Sequence, residues 1–146
     1  MLKDYLKSDL TFLNKKYASF KDMICNLTEI FKKEGYTELD FSKALVEREI
    51  SFPTGLQLEN YAVAIPHGGT EYVNKDFISF VTLEEPVKMH RMDDPEKPLE
   101  VDTFFIMGLK NSDNHLKVLK ELMSLIQDKE ILEQLKQGHS INQIQN

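Results

Sequence analysis

The sequence is poor in cysteine. Cys25 is the single cysteine among 146 residues, so the chain cannot form an intramolecular disulfide bond. Because Cys25 lies near Ile24 and Leu27 in a stretch with helical periodicity, we predict that its side chain packs in the interior. The alternative is a reactive thiol, which requires an electropositive and partly exposed setting.

Long apolar runs are also missing. No stretch approaches the roughly 18 consecutive apolar residues of a membrane-spanning helix, and the charged segment Met1–Lys7 does not resemble a secretory signal. We therefore expect a cytoplasmic protein that does not insert into the membrane. A length of 146 residues is typical of one domain, and we expect a single domain over residues 1–146.

Positive charge is in deficit, since the formal net charge at pH 7 is −6. Proteins bind nucleic-acid phosphates chiefly through clustered lysines and arginines. We therefore expect no nucleic-acid partner. The sequence also lacks internal repeats and low-complexity segments.

Several binding motifs do not occur. There is no Gly-x-x-x-x-Gly-Lys phosphate loop and no dinucleotide-binding fingerprint, so we expect no cofactor. No His-x-x-x-His or Cys-x-x-Cys pair is present, which argues against a metal site. Any phosphate used by this protein must arrive attached to another molecule.

Four stretches have the apolar spacing of amphipathic helices. One follows a Ser19 N-cap and ends at Gly35. The others cover about 40–50, the stretch from about His115 to Ile126 behind a cap at Asn111 or Ser112, and 128–137. Residues 140–146 are compatible with one further helical turn.

Five runs are rich in residues that favour strands. They are residues 10–13, 61–65, 77–83, 87–89 and 101–109. We predict that Glu84-Glu85-Pro86 separates the third run from the fourth. Residues 53–60 and 90–98 are predicted to be loops. His90 and His139 are expected to be solvated. The pattern indicates a two- or three-layer α/β domain.

The best candidate for chemistry is His67, in the stretch Ala62-Val-Ala-Ile-Pro-His67-Gly-Gly-Thr70. Pro66 has no N–H group to continue a sheet ladder, so the strand should end where the histidine begins. Gly68 and Gly69 allow unusual backbone conformations and leave space for an approaching group. An ordinary strand-to-loop turn is the alternative interpretation of these residues alone.

His115 and Arg48 are placed at helix ends by the same predictions. The free N–H groups of a helix N-terminus favour an anion beside His115. Arg48 lies at a helix C-terminus one loop before His67, where a cation commonly compensates the helix dipole. In open α/β sheets, sites gather at the carboxyl ends of strands, so we expect the two histidines to meet.

Such a set of residues favours phosphoryl transfer. A neutral imidazole is a nucleophile near pH 7, provided that the pKa of His67 is low. The phosphoryl oxygens require positioned donors, which His115, Arg48, Thr70 and the backbone at Gly68 and Gly69 can supply. A metal ion is the competing use of two histidines.

The sequence resembles a known family over about Leu10 to Leu135: the enzyme IIA component of the bacterial phosphoenolpyruvate-dependent sugar phosphotransferase system, of the fructose/mannitol superfamily. The motifs that support this resemblance are Arg48-Glu49 before a loop with Thr54, Val63-Ala-Ile-Pro-His67, Pro86-Val87 after a strand, and Asn114-His115-Leu116. The loop Phe52-Pro-Thr-Gly55 resembles the galactitol-type branch, whereas Gly68 is common in the mannitol branch. The resemblance implies a mixed sheet flanked by helices on both faces.

By this resemblance, His67 is the phosphorylated residue, His115 helps to bind the phosphoryl group and Arg48 contacts phosphate. The donor is a phosphohistidine on the phosphocarrier protein HPr, and the acceptor is a cysteine of enzyme IIB, which serves a membrane enzyme IIC. Two alternatives remain open: a regulatory module that senses the phosphorylation state of the system, and an interaction domain without chemistry.

Overall fold

The computed structural model describes residues 2–110 and 112–141, and only the backbone of Ser112. The predicted cap at Asn111 and residues 142–146 of the predicted final turn lie outside the described residues. The helices are α1 (Leu2–Tyr5), α2 (Phe20–Lys33), α3 (Phe41–Ser51), α4 (His115–Gln127) and α5 (Lys129–Lys136). The strands are β1 (Phe12–Lys15), β2 (Gly55–Gln57), β3 (Ala62–Ala64), β4 (Phe77–His90) and β5 (Pro98–Gly108).

The strands form one mixed sheet in the order β1-β4-β5-β3-β2. The long strands β4 and β5 pair antiparallel at its centre, while β1 runs parallel to β4 and β3 runs parallel to β5. Strand β2 pairs antiparallel with β3 at one edge. The strand that leads to His67 therefore lies next to the edge and beside β5.

Helices cover both faces of this sheet, as the resemblance implied. Side chains alternate along each strand, so Phe77 and Val81 of β4 face α2 and α3, whereas Ile78 and Phe80 face α4 and α5. Two hydrophobic cores result, one on each side. The prediction of an α/β fold with a mixed sheet between two helical layers is confirmed.

Most helix ends follow the capping signals in the sequence. Ser19 Oγ accepts the Asp22 N–H at 3.1 Å, and Gly35 adopts a left-handed φ of 85° after α2. Asp128 Oδ1 accepts the Ile131 N–H at 3.2 Å at the start of α5. The predicted cap at Ser112 is wrong, because Ser112–Asn114 form a 3₁₀ turn and Asn114 occupies the N-cap position of α4.

Three strand predictions require correction. Strand β1 begins two residues later than expected, because Ser8–Leu10 form a 3₁₀ turn that buries Leu10. Strand β4 continues through Glu84-Glu85-Pro86, and a shift of register between Thr82 and Val87 accommodates the proline as a bulge does. Residues 55–57, predicted as loop, form β2.

The surface differs from the predictions at two residues. Cys25 is exposed, so the prediction of an interior packing role is wrong. It adjoins Ile24 in sequence, but consecutive residues of a helix point about 100° apart, and the buried face of α2 includes Met23, Ile24 and Leu27. His90 is half-buried at the end of β4, while His139 is exposed as expected. Within residues 2–110 and 112–141, no helix is long and apolar enough to cross a bilayer.

Candidate functional site

His67 lies where the chain leaves β3 and continues along β5. The Met107 N–H donates to Pro66 O at 2.9 Å, and His67 forms an isolated parallel bridge with Met107. Ile65 and Pro66 are buried and His67 is half-buried. The expected position at the carboxyl end of a strand is therefore confirmed, with a side chain that remains partly accessible.

One hydrogen bond defines the orientation of the His67 ring. Nδ1 lies 2.7 Å from the carbonyl oxygen of Ile65. Because a carbonyl oxygen only accepts, Nδ1 must be the protonated nitrogen of the neutral ring. The unprotonated Nε2 therefore has the free lone pair.

His115 is the first residue of α4 and is also half-buried. Its Nε2 lies 3.2 Å from Leu109 O, so Nε2–H is the donor and Nδ1 remains for a second partner. The predicted position at a helix N-terminus is confirmed. There, the first N–H groups of α4 favour an approaching anion.

The two histidines line the same cavity, which has a volume of about 210 Å³. Gly68 and Thr70 also line it, and apolar side chains complete the wall: Met107, Leu109, Leu116 and Leu119. Leu116 is 63% exposed, so the cavity opens beside an apolar surface. Among these residues, the sequence analysis identified only the polar and glycine members.

Arg48 approaches His67 from the helical layer of α2 and α3, on the other side of the sheet from His115 and α4. It lies in the last turn of α3, and its guanidinium carbon is 4.1 Å from the centre of the Phe52 ring. Its aliphatic carbons pass close to Gly68, where an added Cβ atom would lie 3.0 Å from Arg48 Cγ. The structure therefore places Arg48 beside the turn that follows His67, with the guanidinium stacked on an aromatic ring.

The three residues after His67 have different surroundings. Gly68 has a φ of 144° and lines the cavity, and Thr70 begins a 3₁₀ turn and also lines it. Gly69 has a left-handed φ of 59° and packs towards Phe41 and Ala44 of α3. The backbone thus favours glycine at both positions, and an added Cβ atom would also be crowded at both, by Arg48 at Gly68 and by Phe41 at Gly69.

Burial lowers the pKa of His67 below its ordinary value. The hydrogen bond to Ile65 O opposes this effect, while the positive charge of Arg48 and the electrostatic influence of His115 add to it. The ring is therefore neutral near pH 7, which is the nucleophilic form. The low pKa that phosphoryl transfer requires is present.

Glu49 is a polar residue of this region whose position the sequence analysis missed. It is only 9% exposed, and its two carboxylate oxygens accept the Thr54 N–H at 2.7 Å and the Thr54 hydroxyl at 2.8 Å. A signal was present in the sequence, because Phe41, Leu45 and Glu49 follow one another at intervals of four and share the buried face of α3. Burial raises the pKa of Glu49 to about 7.

The arrangement suits a nucleophile for a phosphate better than it suits a metal ion. Within the described parts of the chain, no group of three or more His, Cys, Asp or Glu residues is arranged to bind a metal. A free imidazole nitrogen, a helix N-terminus, a glycine turn and a nearby guanidinium are instead the elements that phosphoryl transfer uses.

A comparison with known protein families agrees with the resemblance seen in the sequence. The family described as "Phosphoenolpyruvate-dependent sugar phosphotransferase system, EIIA 2" matches residues 4–146. The chain belongs to this family. It is therefore an EIIA component of type 2, which is the family that the sequence motifs resembled, and EIIA components are phosphotransferases.

Individual relatives of this EIIA 2 chain differ in their roles. The galactitol-specific EIIA component of Escherichia coli strain K12 is 24% identical over 131 residues, which cover 90% of this chain and 83% of that protein. The nitrogen regulatory protein IIA-Ntr from Neisseria meningitidis has a similar structure, with a TM-score of 0.74 and 26% identity over 98% of this chain and 95% of that one.

A second similar structure is a complex of enzyme IIAMTL and phosphorylated enzyme IIBMTL from Escherichia coli. The similarity has a TM-score of 0.71 at 24% identity and covers 95% of this chain and 94% of that one. At this level of identity, the comparison establishes that this chain and the matched chain of the complex share a fold.

Proposed function

We propose that this chain is a phosphocarrier that accepts a phosphoryl group on His67 Nε2 from phospho-HPr and passes it to a cysteine of enzyme IIB. The single observation that supports this most strongly is the hydrogen bond from His67 Nδ1 to Ile65 O, at 2.7 Å. It leaves Nε2 as the nucleophilic nitrogen of a neutral ring, next to a cavity that His115 also lines.

The two transfers are balanced displacements at phosphorus. In the first, His67 Nε2 forms a bond to phosphorus while the bond to the donor histidine nitrogen of HPr breaks. In the second, the thiolate of the enzyme IIB cysteine forms the new bond and the bond to Nε2 breaks. The proton stays on Nδ1 and remains hydrogen-bonded to Ile65 O throughout, so the His67 ring keeps its orientation in both steps.

The neighbouring residues neutralise the charge of the phosphoryl oxygens. At the N-terminus of α4, the free N–H groups of the helix can donate to these oxygens, and His115 Nδ1 can donate to them only when the ring is protonated. Arg48 supplies a guanidinium group, the backbone at Gly68 and Gly69 supplies close approach, and Thr70 supplies a hydroxyl. These five residues are the phosphate-binding set of the proposal.

We further propose that the chain serves the uptake of a sugar or sugar alcohol through a membrane enzyme IIC, with galactitol as the first substrate to test. The support is the 24% identity to a galactitol-specific EIIA component. The role of enzyme IIB as the acceptor is supported by the complex of enzyme IIAMTL with phosphorylated enzyme IIBMTL, because the matched chain of that complex has the same fold as this chain.

A second candidate function is regulation by the phosphorylation state of the system. The structural similarity to the nitrogen regulatory protein IIA-Ntr favours it. Both candidates predict phosphorylation of His67, but only the transport function predicts rapid transfer onward to an enzyme IIB cysteine. Transfer to a cognate enzyme IIB therefore separates the two.

The decisive experiment is incubation with phosphoenolpyruvate, enzyme I and HPr, followed by intact-mass spectrometry. Wild-type protein should gain the mass of one phosphoryl group, which acid removes. His67→Ala should gain no phosphoryl group. His139→Ala is the control: because His139 is exposed, this variant should gain one phosphoryl group, as wild type does. His115→Ala should still fold and should transfer to enzyme IIB more slowly.

Two results would contradict the proposal. One is wild-type protein without a phosphoryl adduct in the presence of active HPr. The other is an adduct of undiminished size in His67→Ala. Nitrogen-15 NMR of the phosphorylated protein should in addition show phosphorus on Nε2, and a bond to Nδ1 would contradict the inferred orientation of the ring.

A further inference from the structure

The last turn of α3 is attached to the loop that follows it through a buried carboxyl group. Glu49 is 9% exposed and Thr54 is 3% exposed. The two oxygens of Glu49 accept both donors of Thr54, the backbone N–H at 2.7 Å and the hydroxyl at 2.8 Å. One residue thus fixes the backbone and the side chain of another at the same time.

Thr54 continues this connection into the sheet. Its carbonyl oxygen accepts the Ile65 N–H at 3.2 Å, directly beside the antiparallel pair of Gly55 and Ala64. The carbonyl of Ile65 in turn accepts the His67 Nδ1 proton at 2.7 Å. Two residues, Thr54 and Ile65, therefore link the Glu49 carboxyl group to the His67 ring.

The same anchor fixes the position of Arg48, which precedes Glu49 in α3. The Phe52 N–H donates to Arg48 O at 2.7 Å, and the Phe52 ring stacks on the Arg48 guanidinium group. The loop that Glu49 attaches at Thr54 is thus the loop that supports Arg48. Both the nucleophile and the cation of the site depend on this segment.

We propose that Glu49 is a positioning residue for phosphoryl transfer: through Thr54 and Ile65 it holds the His67 ring with Nε2 towards the cavity, and through the 52–54 loop it holds Arg48 beside Gly68. The proposal rests on the proposed function of His67. Glu49 itself is buried and is not among the residues that line the cavity.

Hydrogen bonding is the property of Glu49 that this role requires. Burial of a carboxyl group is costly unless hydrogen bonds satisfy it, and a purely apolar contact would not fix Thr54 in direction. Both contacts persist when the group is neutral, because Oε1–H can donate to Thr54 Oγ1 while Oε2 still accepts the N–H. Glutamine offers the same pattern of one donor and one acceptor.

The test compares Glu49→Gln, Glu49→Met and Glu47→Met. Glutamine preserves both contacts with Thr54, whereas methionine has a similar length but loses them. Glu47 lies exposed on the same helix, so Glu47→Met is the matched control for the substitution itself. The readouts are kcat and KM for phosphoryl transfer from phospho-HPr, and the nitrogen-15 NMR spectrum of the His67 ring.

In Glu49→Met, we expect kcat to fall by roughly 10- to 100-fold. A mutation far from the chemistry can cost about 100-fold when it displaces a reacting group by about 1 Å. KM for phospho-HPr should stay within about twofold, because the buried Glu49 side chain presents almost no surface to a partner. The His67 spectrum should change from one tautomer to a mixture of both. Glu49→Gln should keep the single tautomer and most of kcat, and Glu47→Met should match wild type.

If Glu49→Met does not fold, Thr54→Val and Thr54→Ser decide the question. Valine loses the hydroxyl contact and keeps the backbone contact, so Thr54→Val should lower kcat and give a mixture of His67 tautomers. Thr54→Ser should keep kcat and the single tautomer.

Folded Glu49→Met or Thr54→Val protein with the wild-type tautomer and wild-type kcat would overturn the proposal. An equal loss of kcat in Glu49→Gln and Glu49→Met would also overturn it, because charge rather than hydrogen bonding would then be what matters. The NMR readout does not require phosphoryl transfer, so it remains informative even if the proposed function fails.

Discussion

Two titratable residues of this region, His67 and Glu49, respond to burial in opposite directions. Removal from water disfavours the charged form of each group, so it lowers the pKa of His67 and raises the pKa of Glu49. The imidazole becomes a better nucleophile near neutral pH. The carboxyl group becomes a hydrogen-bonding group that is partly neutral at the same pH.

For His67, we predict a phosphorylation rate that stays high as the pH falls to the ordinary histidine value of 6.5 and declines only below it. The reason is that the folded protein keeps the ring neutral in this range. NMR titration of the ring should show the same lowered midpoint, and Arg48→Met should move the midpoint upwards by removing a positive charge. A midpoint at or above 6.5 in wild type would contradict this prediction.

For Glu49, we predict a stability that decreases as the pH rises. Its pKa is 4.5 in the unfolded chain and about 7 in the folded one, so the folded protein binds more protons between these values. Relative to Glu49→Gln, the free energy of unfolding of wild type should fall by about 3 kcal/mol from pH 4.5 to above pH 7. Urea unfolding at several pH values measures this, and parallel curves for the two proteins would contradict it.

Gly68 allows a test of the close contact with Arg48. In Gly68→Ala, the new Cβ would lie 3.0 Å from Arg48 Cγ, at a φ of 144° that disfavours alanine. We expect stability to fall by about 1 kcal/mol and phosphoryl transfer to fall on the order of tenfold as Arg48 is displaced. Gly138→Ala is the control, because Gly138 also has a positive φ but lies against Leu13 at 3.7 Å. It should lose stability and retain transfer, and equal transfer in both variants would contradict the prediction.

The sequence predicted His67, His115 and Arg48 because short-range signals mark them: a proline after an apolar run, a helix start and a helix end. It also predicted that the two histidines meet, since both follow strands that are neighbours in the sheet. It missed the connection from Glu49 to His67 because Thr54, the hydrogen-bond partner of Glu49, meets Ile65 only when β2 pairs with β3. The assigned roles of these residues in transfer remain predictions.

At the scale of helices, capping by short side chains was the most useful signal. Ser19 before α2 and Asp128 before α5 both accept the expected backbone N–H groups. The start of α4 was harder to predict, since a 3₁₀ turn comes first and Asn114 donates instead to the Tyr5 hydroxyl at 3.2 Å. Helices α2 to α5 were predictable from periodicity because each buries one face, whereas the four-residue α1 was not predicted.

We predict that Ser19→Ala lowers the free energy of unfolding by about 1 kcal/mol, because the Asp22 N–H loses its acceptor at the start of α2. Ser124→Ala is the control, since Ser124 is exposed in the interior of α4. Chemical denaturation of the two variants measures the difference. Equal stability of the two variants would show that the cap contributes nothing.

Strand ends were harder to predict than helices. Proline and two glutamates predicted a break at Glu84–Pro86, but pairing with β5 continues on both sides of these residues, and an irregularity accommodates them. The three residues of β2 have no alternating pattern of their own and form a strand only because β3 lies beside them. Long-range pairing is not encoded in a local window of sequence.

For the whole molecule, the important feature is that the sheet separates two cores. Phe31 belongs to the core beneath α2 and α3, while Leu122 belongs to the core beneath α4 and α5. Arg48 and Glu49 come from the first helical layer, and His115 comes from the second. His67 lies between them.

We predict that Phe31→Ala and Leu122→Ala, each in a different core, lower the midpoint of one and the same unfolding transition. Each should cost roughly 2–5 kcal/mol, because both side chains are fully buried. Urea titration followed by circular dichroism and by phosphoryl transfer should give coincident curves. Activity that survives the loss of helical signal in either variant would contradict this expectation.

The placement of His67 between the two helical layers has a consequence for protein synthesis. His115 follows His67 by almost fifty residues along the chain, and the helix that presents it lies on the opposite side of the sheet from Arg48. A nascent chain that has formed only the layer of α2 and α3 contains His67 but lacks α4 and His115, which form the other side of the site. Competence for phosphoryl transfer should therefore appear late, when α4 has docked, and an incompletely made chain should not compete for phospho-HPr.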